Sequence, residues 1–429
     1  MDQIKNIVRK YNDISLIKRI IVGLIVGVVL ALLIPIQAEP TGVNAFITLF
    51  GDVFVGALKG VAPILVFFLV LSALSNAKGE GTMGTVLVLY IVSTFVAAIV
   101  AVLASYVFPT PLTLDTSTMV EQTSPSNVGD VLMALVMNVV SNPVASLADA
   151  NYLGILAWAA VLGIILRGIA NDDVKNLFTT LADAVSTLVR WVIAFAPFGV
   201  MGLVYTSVGT NGPEIFIEYG RIILVLVGCM AFIALVTNPL IVFVCTRMNP
   251  YPLVLRCLKD SGLTAFFTRS SAANIPVNMA LCEKLGLNKD NYSVSIPLGS
   301  TINMAGAAVT ITVMTMAACH TMGISVDPIT AVILSVLAAV SACGASGVAG
   351  GSLLLIPMCC ALFGIDNAVA MQVVGIGFII GVVQDSCETA VNSSSDVVFT
   401  ATAEYRRMIK EGKQVRMGKD AFTADELDA

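Results

Sequence analysis

The sequence predicts an all-α polytopic membrane protein with about eight transmembrane helices and two re-entrant helical hairpins. Three observations carry this reading. Of 429 residues, 57% are hydrophobic and 12% charged, against roughly 45–50% and ~25% in soluble globular domains. So few charges cannot cover a water-facing surface. The apolar residues also gather in runs near the length that a bilayer demands, since ~1.5 Å of rise per residue takes about 20 residues across a ~30 Å hydrocarbon core. Finally, two apolar segments are interrupted at mid-length by small and polar residues, where a lipid-facing helix could not break. The same composition excludes collagen-like, disordered and disulfide-stapled chains.

Taken in order, the candidate crossings are 20–36, 46–74, 85–108, 152–166, 184–208, 221–244, 293–318 and 369–400. A shorter apolar stretch, 128–140, is read as part of one broken element with the 152–166 helix. The first run follows a basic stretch, as a signal peptide would. However, Ile36-Gln37-Ala38 offers no small-x-small cleavage site, so the run is read as a retained helix. Lys5, Arg9, Lys10, Lys18 and Arg19 at one end and Arg406, Arg407, Lys410, Lys413, Arg416 and Lys419 at the other make up 11 of the 23 basic residues. The positive-inside rule then puts both termini in the cytoplasm and makes the number of crossings even. A net charge of −5 argues against nucleic acid as a partner. The nine cysteines show no paired metal-site spacing and read as small apolar packing residues.

The interrupted segments are 252–287 and 329–363. In the first, an apolar arm ends at Phe266-Phe267, and Thr268-Arg269-Ser270-Ser271-Ala272-Ala273-Asn274-Ile275-Pro276 precedes the second arm. The other centres on Cys343-Gly344-Ala345-Ser346-Gly347-Val348-Ala349-Gly350-Gly351-Ser352. Arms of about 11–16 residues reach only ~16–24 Å, short of the hydrocarbon core. They therefore read as hairpins whose tips meet inside the protein, in preference to two pairs of short crossings. A long helix follows each hairpin. One contains Gly299-Ser300-Thr301-Ile302-Asn303-Met304-Ala305-Gly306-Ala307, where Asn303 and two glycines suggest an unwound stretch presenting carbonyls. The repeated hairpin–helix order is the trace of an internal repeat with broken elements in matching places, a pointer to a transporter site.

In the last helix, Asp385, Thr389, Asn392 and Asp396 are spaced i, i+4, i+7, i+11 and share one face, with Glu388 at its edge. Ionisable groups inside a membrane are costly and mark a pathway or a binding site. The residue types suit a zwitterion and a hard monovalent cation. Asp385 can hold an ammonium by charge-assisted hydrogen bonds. Serine hydroxyls and free N–H groups at a tip beside a helix N-terminus suit a carboxylate. Carbonyls around Gly299 and Asn303, completed by Asp396, make an oxygen cage for Na⁺, with Ca²⁺ and Mg²⁺ sharing that ligand preference.

These four runs, 269–276, 299–307, 344–351 and 385–396, resemble the dicarboxylate/amino acid:cation symporter family, that of the glutamate transporters. The resemblance spans nearly the whole chain. It implies an inverted-repeat, elevator-type carrier that forms a homotrimer in a cell membrane, with Na⁺ as coupling ion and no enzymatic activity or cofactor. A scaffold of 1–75 and 127–215 would carry a transport unit of 76–126 and 216–400, with 401–429 as a cytoplasmic tail. Ser270 and Ser271 match the tip that receives the substrate carboxylate. Asp385 matches the aspartate for the amino group, and Thr389 and Asn392 match further substrate contacts. Gly299, Asn303, Asn392 and Asp396 match one sodium site. Gly344, Gly347, Gly350 and Gly351 match the glycine-rich gate that closes over substrate and a second ion, with Thr301 opposite.

The chain departs from the family pattern twice. Where many members have an aspartate after Asn-Met, it has Ala305, which puts in doubt a further sodium site whose partners Tyr90, Ser93 and Thr94 remain. Where carriers of acidic substrates have an arginine, it has Glu388, which would repel a side-chain carboxylate. The expected substrate is therefore a small neutral amino acid, serine or threonine first, with Glu388 accepting from the substrate hydroxyl and Arg269 as the partner of Glu388. Acidic amino acids or dicarboxylates are the alternative substrates, and a channel is a more distant one.

Overall fold

The computed structural model describes residues 14–36, 41–76, 83–114, 137, 140–212, 215–343, 345 and 350–420. The regular structure among them is helical throughout. The elements are α1 (Leu16–Leu33), α2 (Val43–Ser75), α3 (Met83–Val107), α4 (Pro143–Ala148), α5 (Tyr152–Ile169), α6 (Asp172–Ala194) and α7 (Ala196–Asn211). Next come α8 (Ile215–Phe232) and α9 (Asn238–Thr246), continuous through the π turn Ile233–Thr237. The remainder are α10 (Tyr251–Cys257), α11 (Leu263–Thr268), α12 (Ser271–Lys284), α13 (Lys289–Ile302), α14 (Ala305–Thr321), α15 (Pro328–Ala342), α16 (Ile356–Ala361) and α17 (Asn367–Lys410). Among the described residues, six helices are long and apolar enough to cross a membrane.

Two sets of helices pack internally. α1 lies along α7, while α2 packs on α5, α6 and α7. This packing is close because glycines meet backbone to backbone: a Cβ on Gly202 would stand 2.5 Å from the Gly51 nitrogen, and one on Gly199 would overlap the Phe54 ring. Large apolar side chains cover the outer faces, among them Leu33 on α1 and Trp191 on α6, which are 73% and 70% exposed. In a membrane protein such faces meet lipid. The other set surrounds α14, in which every residue from Ala305 to Cys319 is buried, between α3, α15, α17 and α8.

The single crossing expected at 184–208 is two helices. α6 ends at Ala194 and α7 starts at Ala196, with Pro197 in its first turn. Proline has no N–H and fits the start of a helix, so an apolar run that looks continuous restarts there. The break expected near Asn303 is present, as α13 stops at Ile302 and α14 starts at Ala305. In the first hairpin the interruption is narrower than 268–276. Arg269 adopts a left-handed φ of 52°, and Ser270 caps α12 at once, accepting from the Ala273 N–H at 3.2 Å. Residues 271–276 are therefore already helical. Most of 128–140, and Gly344 and Gly347 of the second tip, lie outside the described residues.

Replacing Gly202 with valine should overpack the α2–α7 contact at a cost of about 1–3 kcal/mol. The expected outcome is a lower melting temperature in detergent; an unchanged melt would mean that this contact is loosely packed.

Candidate functional site

The site is built around α17, whose Asp385, Glu388, Thr389, Asn392 and Asp396 are all buried. Asp385 is clamped from both hairpins. Its Oδ2 accepts from Arg269 Nε at 2.6 Å, and its Oδ1 from the Gly350 N–H at 3.0 Å. The Arg269 and Asp385 side chains are 7% and 3% exposed. The left-handed turn at Arg269 ends α11 and precedes the Ser270 cap, at the point where the arginine meets α17. Gly350 sits at φ 75°, and a Cβ there would lie 2.7 Å from Phe378, so glycine is required on both counts.

The expected Arg269–Glu388 pairing is therefore replaced by Arg269–Asp385. Three residues along a helix turn a side chain about 60° short of a full circle, enough to aim Glu388 at α14 and the start of the second hairpin's return arm. There Glu388 Oε2 accepts from Thr310 Oγ1 at 2.7 Å, Ser352 Oγ at 2.8 Å and Gln384 Nε2 at 2.5 Å. Three donors on one oxygen compensate a carboxylate removed from water. Thr389 donates to the Asp385 carbonyl at 2.8 Å. Ser271 is buried in the first turn of α12.

One and two turns further along, the broken helix is tied to α17. Asn392 Oδ1 accepts the Gly306 N–H at 2.7 Å, satisfying one of the free donors at the start of α14. Asn303 Nδ2 donates to Asp396 Oδ1 at 2.9 Å, to Ser395 Oγ at 2.7 Å and to the Asn392 carbonyl at 3.2 Å. The carbonyl of Gly299 accepts the Asn303 N–H at 2.9 Å. Gly299 also has no room for a side chain, because a Cβ would stand 2.6 Å from Asp396 Oδ1. Asp396 Oδ2 and Asn303 Oδ1 are both buried and have no hydrogen-bond partner. An unpaired carboxylate oxygen at such depth is costly unless something positive meets it, and oxygen atoms are the ligand type that a hard cation takes.

Other sequence candidates are engaged differently. Thr301 turns its hydroxyl to its own helix, donating to the Leu298 carbonyl at 2.9 Å. Thr94 donates to the Tyr90 carbonyl at 2.8 Å and accepts the Met304 N–H at 3.3 Å, while Ser93 donates to Asn238 Oδ1 at 3.3 Å. The Tyr90 hydroxyl lies within 3.2 Å of the Ser295 and Asp396 carbonyls. These three residues fasten α3 to the core beside the buried Ala305. Gly351 leads directly into the 3₁₀ turn Ser352–Leu355.

Sequence reasoning assigned no role to Thr310, Gln384, Asn274 or Asn278. Asn274 Nδ2 reaches Ser393 Oγ at 2.8 Å and Asn278 Nδ2 reaches the Ser393 carbonyl at 3.0 Å, binding the first hairpin to α17. A signal existed, since the two asparagines are spaced i, i+4 on one helix face.

Comparison with known proteins places this geometry in context. A sequence profile described as the sodium:dicarboxylate symporter family matches residues 16–405. A Streptococcus agalactiae serotype III protein named serine/threonine transporter SstT is 57% identical over 402 residues, covering 93% of this chain and 98% of that one. A protein of the same name from Bifidobacterium adolescentis is 57% identical over 407 residues, covering 94% and 93%. The Streptococcus thermophilus protein so named is 55% identical over 408 residues, covering 95% and 100%.

The clamp is open to a double-mutant test. Arg269→Gln leaves the Asp385 charge buried without its counter-ion, an expected loss of about 3–5 kcal/mol. Adding Asp385→Asn removes that charge and should restore part of the stability in a detergent melt. A double-variant loss equal to the sum of the losses in Arg269→Gln and Asp385→Asn alone would show that the two groups are not coupled.

Proposed function

The chain belongs to the sodium:dicarboxylate symporter family, and from that premise we propose that it takes up small neutral amino acids, serine and threonine, together with Na⁺ across a cell membrane. The single observation that carries the choice of substrate is Glu388, held by Thr310, Ser352 and Gln384 with no cation among them. A carboxylate fixed there repels an acidic side chain. Its other oxygen can accept from a substrate hydroxyl. Polar groups left unpaired by an apolar substrate cost free energy, so a site built around a hydroxyl also disfavours alanine-like side chains of larger size.

Asp385 takes the substrate ammonium. Two carboxylate oxygens offer about four lone-pair directions, and Arg269 and the Gly350 N–H use two. An ammonium can thus join the clamp without breaking it, while Ser270 and Ser271 at the start of α12 receive the substrate carboxylate. Thr389 and Asn392 supply further contacts. The coupling Na⁺ is drawn to Asp396 Oδ2 and Asn303 Oδ1, the two oxygens without donors, with the carbonyls of Gly299 and Asn392 beside them. The second tip, from Gly344 through Gly347 to Gly350 and Gly351, serves as the gate, and Thr301 faces its ion.

In the membrane we read eight crossings and two re-entrant hairpins of an inverted-repeat elevator, assembled as a homotrimer with both termini cytoplasmic. The α1, α2 and α5–α7 packing supports a scaffold of 1–75 and 127–215, and the packing of α3 with α14, α15 and α17 supports a transport unit of 76–126 and 216–400. Between these sets, Phe54 and Phe378 meet edge to face at 5.0 Å.

In proteoliposomes, unlabelled serine and threonine should block sodium-driven serine uptake, while aspartate and glutamate at equal concentration should not. Strong block by aspartate would overturn the substrate assignment. Glu388→Gln should let aspartate compete, and unaltered selectivity in that variant would remove Glu388 from the argument. Asp396→Asn should cut sodium-driven uptake by at least about tenfold, the effect of ~1.4 kcal/mol lost in cation binding. An unchanged sodium dependence would move the ion site elsewhere.

A further inference from the structure

A groove of about 920 Å³ runs between α3 and α8, on the opposite side of α3 from the buried contacts with the core. Its walls are large apolar side chains, Leu103 and Val107 on one helix and Leu224 and Phe232 on the other, all well exposed. Its wall at Gly228 is open, since a Cβ added there would meet no heavy atom within 4 Å. At the mouth stands Arg221, two turns into α8, next to the end of α3. Among the described residues, Arg221 makes no ion pair or hydrogen bond. The acidic residue one turn before it, Glu218, does not line the groove and accepts from Thr113 Oγ1 at 2.7 Å.

The dimensions identify the occupant. From Arg221 to Phe232 the helix rises about 16 Å at ~1.5 Å per residue, which is one leaflet of a ~30 Å hydrocarbon core. The cation stands beside the end of α3, which sets it towards the headgroups, and the apolar walls continue from there along both helices. A protein segment would not need a charge at one end and one leaflet of depth below it. An acyl chain with an anionic head needs both.

We propose that this groove is a binding site for an anionic phospholipid, with the phosphate on Arg221 and an acyl chain along α3 and α8. The site is independent of the substrate and sodium positions, so its test does not depend on the transport reading. Full-length protein purified in detergent is exchanged into phosphatidylglycerol, phosphatidylcholine or oleate, and retained lipid is counted by native mass spectrometry. The wild type should retain phosphatidylglycerol about fivefold better than phosphatidylcholine, one basic residue at a lipid surface being worth ~1 kcal/mol. Arg221→Gln should abolish that preference and Arg221→Lys keep it. Gly228→Phe should reduce retention of both phospholipids. Equal retention of the two by the wild type, an undiminished preference in Arg221→Gln, or retention of oleate alone would each overturn the proposal. Melting curves of the variants in detergent separate lost binding from lost folding.

Discussion

The carboxylate of Asp385 is the point on which the interior depends. It draws together an arginine 116 residues before it and a backbone N–H 35 residues before it. A charge buried to this degree is tolerable only with a counter-ion and hydrogen bonds in good geometry. That requirement brings the turn at Arg269 and the backbone of Gly350 to one place on α17. The left-handed turn at Arg269, the immediate helix restart at Ser270 and the side-chain-free backbone at Gly350 are the local conditions that let the clamp close. Each is a conformational cost accepted for one electrostatic interaction.

Around that clamp, satisfied and unsatisfied polar groups divide the labour. Asn392, Asn274 and Asn278 spend their side chains on backbone and hydroxyl partners, and in doing so fix α14 and the first hairpin against α17. Those contacts hold the frame. Asp396 and Asn303 each keep one buried oxygen unpaired, although they donate and accept with their other atoms. In a frame otherwise this well hydrogen-bonded, each of these unpaired buried oxygens costs free energy. A cation bound there would offset that cost, which is the basis of the proposed sodium site.

Much of this was legible in the sequence, for reasons that have limits. The face of Asp385, Thr389, Asn392 and Asp396 followed from helical spacing alone, and the break at Asn303-Met304 followed from polar and glycine residues at a depth where lipid cannot satisfy backbone. The partner of Arg269 was not legible. Asp385 and Glu388 both lie near the same face, and spacing fixes their angular separation without fixing which one a distant tip approaches. The α6–α7 junction was missed because hydropathy is blind to a proline within an apolar run. Thr310 and Gln384 gained roles only when folding placed α14 beside α17, since a lone threonine in an apolar helix commonly bonds its own backbone.

Glu388 shows why the partner of Arg269 matters to selectivity. Had Arg269 paired with Glu388, the two charges would cancel and the side-chain end of the site would be close to neutral. With Arg269 bonded to Asp385, the cancellation occurs instead at the end proposed to read the ammonium and carboxylate common to all amino acids. Glu388 is left with neutral donors, which as an ion would stabilise its charge without neutralising it. On the proposed reading, the site would present a compensated pole to the backbone of a zwitterion and, with Glu388 ionised, a negative pole to its side chain. A hydroxyl can satisfy the second pole by donating to it, whereas a carboxylate adds a like charge in a low-dielectric setting where repulsion is least screened. On that reading, discrimination between serine and aspartate would follow from where a single arginine is anchored.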